Sequence, residues 1–364
     1  MQADVLILGA GPAGAIAALN LAAHCRVLLL DRLPEPAQRI GESLPPAARR
    51  LLVDMDLWQA FVAQGHAPCY GNRSIWNGEW AEQDFLRDPD GHGWHLDRTR
   101  FESWLRAEAL ARGAALLAPA TPLSVARLEG GWQLLVQTAA GPVQLQARLL
   151  IDAGGRASLL GKKLGARRTR QDKLVCVWLY GHDRGETPAD GLSHIEATEH
   201  GWWYSAALPG KRRVLAFHTD ADLPPARRFR ESGWLAKAVG EAPGLAALLD
   251  RSGFSADSEA HIAAAHSSEL QPAAGDAWLA VGDAALGFDP LSSQGLFNAL
   301  YTGLAGAEAG YRHLRGETAA IADYRRQLAD IAQAYRDHLR LYYREESRWA
   351  DAPFWQRRQG ASDR

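Results

Sequence analysis

The chain has 364 residues, 47% hydrophobic and 23% charged, with a formal charge of −2 and a pI near 6.6. That is ordinary globular chemistry, and the even charge leaves no basic block or stripe of the kind a nucleic-acid partner needs. Three cysteines (Cys25, Cys69, Cys176) have no metal-site spacing, which argues for a reducing compartment, a cytoplasmic setting and no disulfide framework.

In chain order, "ADVLILG" (3–9) predicts a buried strand, and an Ala-rich helix follows from about Pro12 to Ala23. "CRVLLLD" (25–31) is a second strand, so the chain opens as a β-turn-α-β unit. With Met1 running almost directly into a strand, no signal peptide is expected, and no apolar run is long enough for a membrane span. "GESLPPAARRLLVDMDLWQAF" predicts a loop and a proline-marked helix, and Asn77-Gly78 in "SIWNGEW" predicts a hairpin. "DRTRFESWLRAEALARG" predicts an amphipathic helix that stops at Gly113. Strands are expected near 115–118, 122–128, 132–138 and 143–151, then strand after strand over 173–220. Two short helices over 224–250, a late strand in "DAWLAVGDAA" and helix over most of 293–348 complete the pattern.

The fold class expected is α/β: a Rossmann-like doubly wound domain carrying an inserted antiparallel β-sheet substrate domain and C-terminal helices. Residues 1–70, 95–170 and 270–315 would form the discontinuous nucleotide domain. Residues 71–94 and 171–269 would form the sheet-rich one, with 316–364 as a helical cap and tail.

Gly9-Ala10-Gly11-Pro12-Ala13-Gly14 fits G-x-G-x-x-G. Gly9 permits the tight turn, Gly11 lets the backbone approach a pyrophosphate, and Gly14 lets helix pack on strand. The helix start offers free N–H groups to phosphates from Ala13 onward, while Pro12, which has none, presets the first helical turn. Asp31, at the end of the next strand, is placed for a ribose. A second segment, "WLAVGDAALGFDPLSSQGLFNAL" (278–300), decides between nicotinamide and flavin. Its strand ends at Gly282-Asp283, where a carboxylate suits a sugar-alcohol chain, and a helix starts near Gly295 and Leu296. Reduced flavin carries negative charge that a helix N-terminus stabilises, and a nicotinamide gains nothing similar. FAD is therefore the expected cofactor, with Arg32, Arg39, Glu42, Ser43 and Arg98 as further cofactor-side residues. Glu42-Ser43 would hold FAD or shape the pocket.

The series GAGPAG, Asp31, DRTRFESWL, IDAGGRAS and VGDAALGFDPLSSQGL resembles the FAD-dependent aromatic hydroxylase and halogenase superfamily, with its para-hydroxybenzoate-hydroxylase-like fold. The resemblance implies that Asp283 contacts the ribityl chain and that the loop from Asp289 to Gly295 lies beside the isoalloxazine. "RIGESLPPAARRLL" and "GWWYSAALPGKRRVLAFHTDADL" resemble the halogenase-related branch, including flavoproteins that hydroxylate a peptidyl tryptophan while the cysteine tryptophylquinone cofactor of amine oxidases and dehydrogenases is made.

Two departures sharpen this. Halogenases of the superfamily carry the halogen on a lysine set after a Gly-rich first third, with a W-x-W-x-I-P stretch, and this chain has no lysine before Lys162 and no such Trp-Ile-Pro segment. The D-G-x-x-S-x-x-R pattern of NADPH-using hydroxylases appears as Asp152-Ala153-Gly154-Gly155-Arg156-Ala157-Ser158 without its final arginine, so a separate flavin reductase is expected. The implied reaction is monooxygenation of an electron-rich ring, a small molecule or a tryptophan of a precursor protein, through a flavin C4a-hydroperoxide. Halogenation or reduction of a small molecule, and a non-catalytic flavin scaffold, are the alternatives. Pro290, Ser292 and Ser293 are candidates for the loop over the flavin. His218 is the candidate base, with His194 and Glu42 as alternatives, Glu42 being favoured instead for the cofactor or pocket. Trp178, Trp202 and Trp203 are candidate pocket walls, although strand alternation puts Trp202 and Trp203 on opposite faces. No metal motif occurs. The aromatic and arginine-rich end, "YREESRWADAPFWQRR", is either a capping helix and tail or a docking surface for a protein substrate.

Overall fold

The computed structural model describes residues 1–186, 188–257 and 259–360. Short apolar runs form the centre, fully buried in Val5–Leu8, Leu149–Asp152 and Trp278–Ala280, a composition that suits a sheet covered on both faces. Val5–Leu8, Val27–Leu30, Ala115–Leu117, Leu149–Asp152 and Trp278–Ala280 pair in parallel, and Ala274–Gly275 adds an antiparallel edge. Register places Leu8 beside both Leu30 and Asp152. The carboxyl ends of the strands, where open α/β sheets bind ligands, therefore bring Gly9, Asp31, Ala153 and Val281–Asp283 to one edge.

The predicted strand over 143–151 is in fact two. Gly141–Ala147 pairs with the hairpin strand Gly131–Thr138, whereas Leu149–Asp152 joins the parallel sheet beside Val5–Leu8. Alternation of side chains cannot reveal a change of partner at Arg148.

The second large sheet has eight strands and is mixed. Leu174–Asp183, Arg212–Asp220, Gly201–Leu208 and Leu192–Thr198 run antiparallel in that spatial order. Gly71–Trp76 then pairs in parallel with Leu192–Thr198 and antiparallel with Glu79–Asp84. The hairpin between Gly71–Trp76 and Glu79–Asp84 turns at Asn77 and Gly78, with φ of 54° and 80°, as its Asn-Gly sequence demands.

One face of this sheet packs Trp203, Phe217 and Val177 against helices at Trp234–Ala238 and Pro243–Ser252. Pro224–Arg227 is a further short helix, so the segment holds three where two were expected. The other face packs Trp178, Tyr180 and Trp202 against Tyr343, Phe354 and Trp355 of the C-terminal segment. The chain's end is thus a buried cover as far as the helix Pro353–Gln359, and residues 361–364 lie outside the described residues. Among the described residues, no helix is long and apolar enough to cross a membrane.

Candidate functional site

The first helix, Pro12–Ala22, starts at Gly11 with no side-chain cap, which leaves its first-turn N–H groups available. The three glycines of the turn have different surroundings. A Cβ on Gly9 would lie 2.2 Å from the Ala153 carbonyl oxygen, and one on Gly14 would lie 1.8 Å from the Gly9 carbonyl oxygen. A Cβ on Gly11 would meet nothing within 4 Å. Gly9 and Gly14 are needed for packing, whereas Gly11 fronts open space at a helix N-terminus, the geometry a pyrophosphate needs.

Asp31 accepts hydrogen bonds from the amides of Ala10 at 2.7 Å and Leu33 at 2.9 Å. Arg106 pairs with it at 3.1 Å and donates to the Ala10 carbonyl at 2.9 Å. This buried arginine belongs to the helix Arg98–Ala111 and ties turn, acid and helix together. Sequence reasoning missed it, and the only signal was its place one turn from Ala109, on a helix face that is buried there. Arg32 and Arg39 are exposed.

The late segment docks directly on the early one. Gly282 has φ of 57°, and a Cβ there would lie 2.7 Å from the Ala13 Cβ. Its amide donates to Thr302 at 2.7 Å. Asp283 is paired with Arg156 at 3.2 Å, and Arg156 also donates to the carbonyls of Phe288, at 2.7 Å, and His266. Arg168, on Arg167–Arg170, bonds Ser158 and donates to the Asp283 carbonyl at 2.8 Å. A guanidinium thus reaches Ser158 from a neighbouring strand, where the sequence pattern lacked its arginine.

Asp289 caps the short turn Pro290–Ser292 by accepting from the Leu291 amide, and Ser293 follows in the left-handed region. The Ser292 hydroxyl donates back to the Asp289 carbonyl at 2.8 Å. The helix Gly295–Leu314 then begins without a side-chain cap, and a Cβ on Gly295 would meet nothing within 4 Å. In its first turn Asn298 is buried, and its Oδ1 has no partner among the described residues. Asn298 was not singled out from sequence.

Glu42 is fully buried, with Tyr180 Oη 2.5 Å from its Oε1, and it accepts from the Gly41 amide at 3.1 Å. Burial raises its carboxyl above the ordinary glutamate range, against the opposing effects of Tyr180 and Arg98. Ser43 is half-buried in a short strand paired with Gly93–His95. Arg98 donates to the carbonyls of Ile40, at 3.1 Å, and Gly41, at 2.7 Å, and pairs with Glu102 at 2.5 Å. Its guanidinium braces the Arg39–Ser43 loop.

Trp178 and Trp202 share the sheet face that meets the C-terminal segment. The expectation of Trp203 beside them is corrected. Strand alternation turns it into the opposite core, with its ring centroid 4.7 Å from that of Phe217. The Trp202 indole N–H faces the Tyr343 hydroxyl at 3.2 Å, and that hydroxyl donates to Asp289 at 2.7 Å. His218 stacks on Trp202 with centroids 3.6 Å apart, and burial lowers its pKa to about 3. It is a neutral ring with one face covered by indole. His194 pairs with Asp190 at 3.0 Å.

An uncapped helix start over open space, an acid at the next strand end, a second uncapped helix and an orphaned buried amide oxygen fit a flavin dinucleotide. The fold and site define an FAD-dependent flavoprotein. The chain belongs to the tryptophan halogenase family, whose model matches residues 82–363. LodB of Marinomonas mediterranea, named as an FAD-dependent oxidoreductase, is 30% identical over 365 residues, covering 99% of this chain and 97% of LodB. The flavin-dependent halogenase CmlS superposes with a TM-score of 0.86 at 25% identity, over 100% of this chain and 68% of its own. QhpG, a peptidyl tryptophan dihydroxylase essential for tryptophylquinone cofactor biogenesis, superposes with a TM-score of 0.79 at 25% identity, over 100% of this chain and 80% of its own.

Proposed function

We propose that this flavoenzyme is a monooxygenase that hydroxylates an electron-rich aromatic ring, a tryptophan of a partner protein during quinone-cofactor biogenesis. FAD bound here would supply the redox chemistry, with its reduced form activating dioxygen. The chain's part is binding, orientation and exclusion of water. Gly9, Gly11, Pro12, Ala13 and Gly14 would hold the pyrophosphate, and Asp31 the ribose. Asp283, fixed by Arg156, would take the ribityl chain with Gly282. The amides at Gly295 and Leu296 would face the pyrimidine edge of the ring, stabilising the charge of its reduced form. Pro290, Ser292 and Ser293 would bound the space above the ring, and Trp178 and Trp202 would contribute the apolar wall. The Arg39–Ser43 loop, with Arg98 behind it, would close the cofactor's other side. Electrons would come from a separate flavin reductase.

One observation carries hydroxylation over halogenation. The chain has five lysines, at positions 162, 163, 173, 211 and 237, and all five side chains are exposed. No lysine is therefore placed to hold a halogenating species in a dry interior. Halogenation is the second reading, favoured by the halogenase names among the relatives. One incubation separates the two: holoenzyme, a flavin reductase with NADH, air, bromide and a tryptophan-containing peptide. The monooxygenase reading predicts peptide gaining the mass of one or two oxygen atoms. Brominated peptide would overturn it.

A further inference from the structure

Two buried carboxyls, Glu42 and Glu102, and one buried cation, Arg98, meet behind the Arg39–Ser43 loop, and the charges of these three do not balance if all are ionised. Arg98 is a buried cation. Glu102, itself 1% exposed, pairs with it at 2.5 Å, and half-exposed Arg39 approaches Glu102 at 3.9 Å. Glu42 is the second buried carboxyl. The remaining Arg98 donors that bond are spent on the Ile40 and Gly41 carbonyls. A charge on Glu42 would have no cation of its own, and an unpaired buried charge is costly.

Proton counting at Tyr180 gives the same answer independently. Its hydroxyl oxygen lies 2.5 Å from Glu42 Oε1 and 2.8 Å from the Arg39 carbonyl oxygen. The hydroxyl has one proton and faces two acceptors if Glu42 is ionised. If Glu42 carries a proton on Oε1, it donates to Tyr180, Tyr180 donates to the Arg39 carbonyl, and Glu42 Oε2 accepts from the Gly41 amide. The Glu42 carboxyl, the Tyr180 hydroxyl, the Arg39 carbonyl and the Gly41 amide are then all paired.

We infer that Glu42 is a neutral carboxylic acid and acts as a positioning residue, a latch that holds the cofactor-side loop Arg39–Ser43 onto Tyr180 of the large sheet. The loop is gripped at both ends of this contact, through the Arg39 carbonyl and the Gly41 amide. This rests on the reading above that the loop lies beside FAD. The groups that face Glu42 are Arg98 from the helix behind it, with Glu102 paired to that arginine, Tyr180 and Cys176 from one strand and Tyr204 from another. Arg212 lies over the Tyr180 ring at 4.6 Å and closes the outer side. Arg98, already paired with Glu102, is the one cation among them that pulls toward ionisation of Glu42. Because the acid form makes the latch, the loop is held at low and neutral pH and loosens as pH rises through the folded-state value.

Glutamine mimics a neutral acid and not a carboxylate, so Glu42→Gln is the discriminating variant. Its amide donates to Tyr180 and its carbonyl accepts from Gly41. The measurements are FAD affinity against pH, followed by flavin fluorescence, and the infrared carbonyl stretch of protonated carboxyls at neutral pH. The inference predicts a protonated-carboxyl band that Glu42→Gln removes. It also predicts that wild-type FAD affinity falls tenfold or more toward alkaline pH, and that Glu42→Gln retains affinity and flattens that dependence. Glu42→Ala and Tyr180→Phe should each bind FAD at least tenfold more weakly. Absence of the band, or loss of affinity in Glu42→Gln equal to that in Glu42→Ala, overturns the neutral latch. A band that disappears in Glu42→Gln, with FAD affinity indifferent to all three variants, would instead place the loop away from the cofactor and overturn that reading alone.

Discussion

Gly282 rests on Ala13, with room for a hydrogen and none for a methyl group: a Cβ at Gly282 would come within 2.7 Å of the Ala13 Cβ. The contact joins the late strand end to the first helix at the turn where a dinucleotide's phosphates would lie. Gly282→Ala adds this clash to the strain of a positive φ. Together these should cost roughly 2–4 kcal/mol of stability. Urea unfolding should show the loss, and FAD should elute from the variant during gel filtration while wild type retains it.

Arg106 is the counter-charge of Asp31 and a bond to the turn itself. Arg106→Ala leaves a half-buried carboxylate with amide donors only. We expect a stability loss of about 3 kcal/mol and FAD affinity at least tenfold weaker. Calorimetric titration of the apoprotein with FAD checks the second outcome.

Asp289 is buried, and burial, followed by the repulsion of Asp172, pushes its pKa up to about 6. Ionisation therefore costs the folded protein more than the unfolded chain. The stability associated with this group is full below about pH 4, the ordinary aspartate value. It declines as pH rises through about 6, by something on the order of 3 kcal/mol. Asp289→Asn should flatten the stability profile over that window, read as urea midpoints at half-unit steps of pH.

Trp202 and Trp203 are adjacent in sequence and opposite in role. Trp203→Phe alters only the core beneath the helices, so it should lower stability and leave peptide oxidation per NADH consumed unchanged. Trp202→Phe removes the N–H that faces Tyr343, whose hydroxyl holds Asp289. It should release more hydrogen peroxide per NADH. Equal peroxide yields from the two variants would contradict the assignment of the Trp202 face to the substrate side.

The parts of this molecule legible in its sequence are those governed by local chemistry. Gly9, Gly11 and Gly14 announce a turn by their spacing, Asn77-Gly78 announces a hairpin, and Gly113 ends a helix. Asp31 and Asp283 are readable because each follows closely on a buried strand. What stayed hidden depends on partners distant along the chain. Arg106 lies on an amphipathic helix whose pattern does not say which polar residue turns inward. Arg168 supplies Ser158 with a guanidinium from a strand ten residues further on. Tyr343 reaches Asp289 from across 54 residues. The strand break at Arg148 is a change of sheet that leaves no mark on the alternation of side chains. Glu42 was visible as a residue, but its burial against Tyr180 was not, because strand and loop are 138 residues apart.

The central claim is that the turn at Gly9–Gly14 and the helix starting at Gly295 hold the two ends of one FAD. A crystal structure of the holoenzyme tests it most directly. The account predicts the pyrophosphate over Gly11, the ribityl chain within hydrogen-bonding distance of Asp283, and the pyrimidine edge of the ring facing the amides of Gly295 and Leu296. A ribityl chain remote from Asp283, or a ring turned away from that helix, would contradict it.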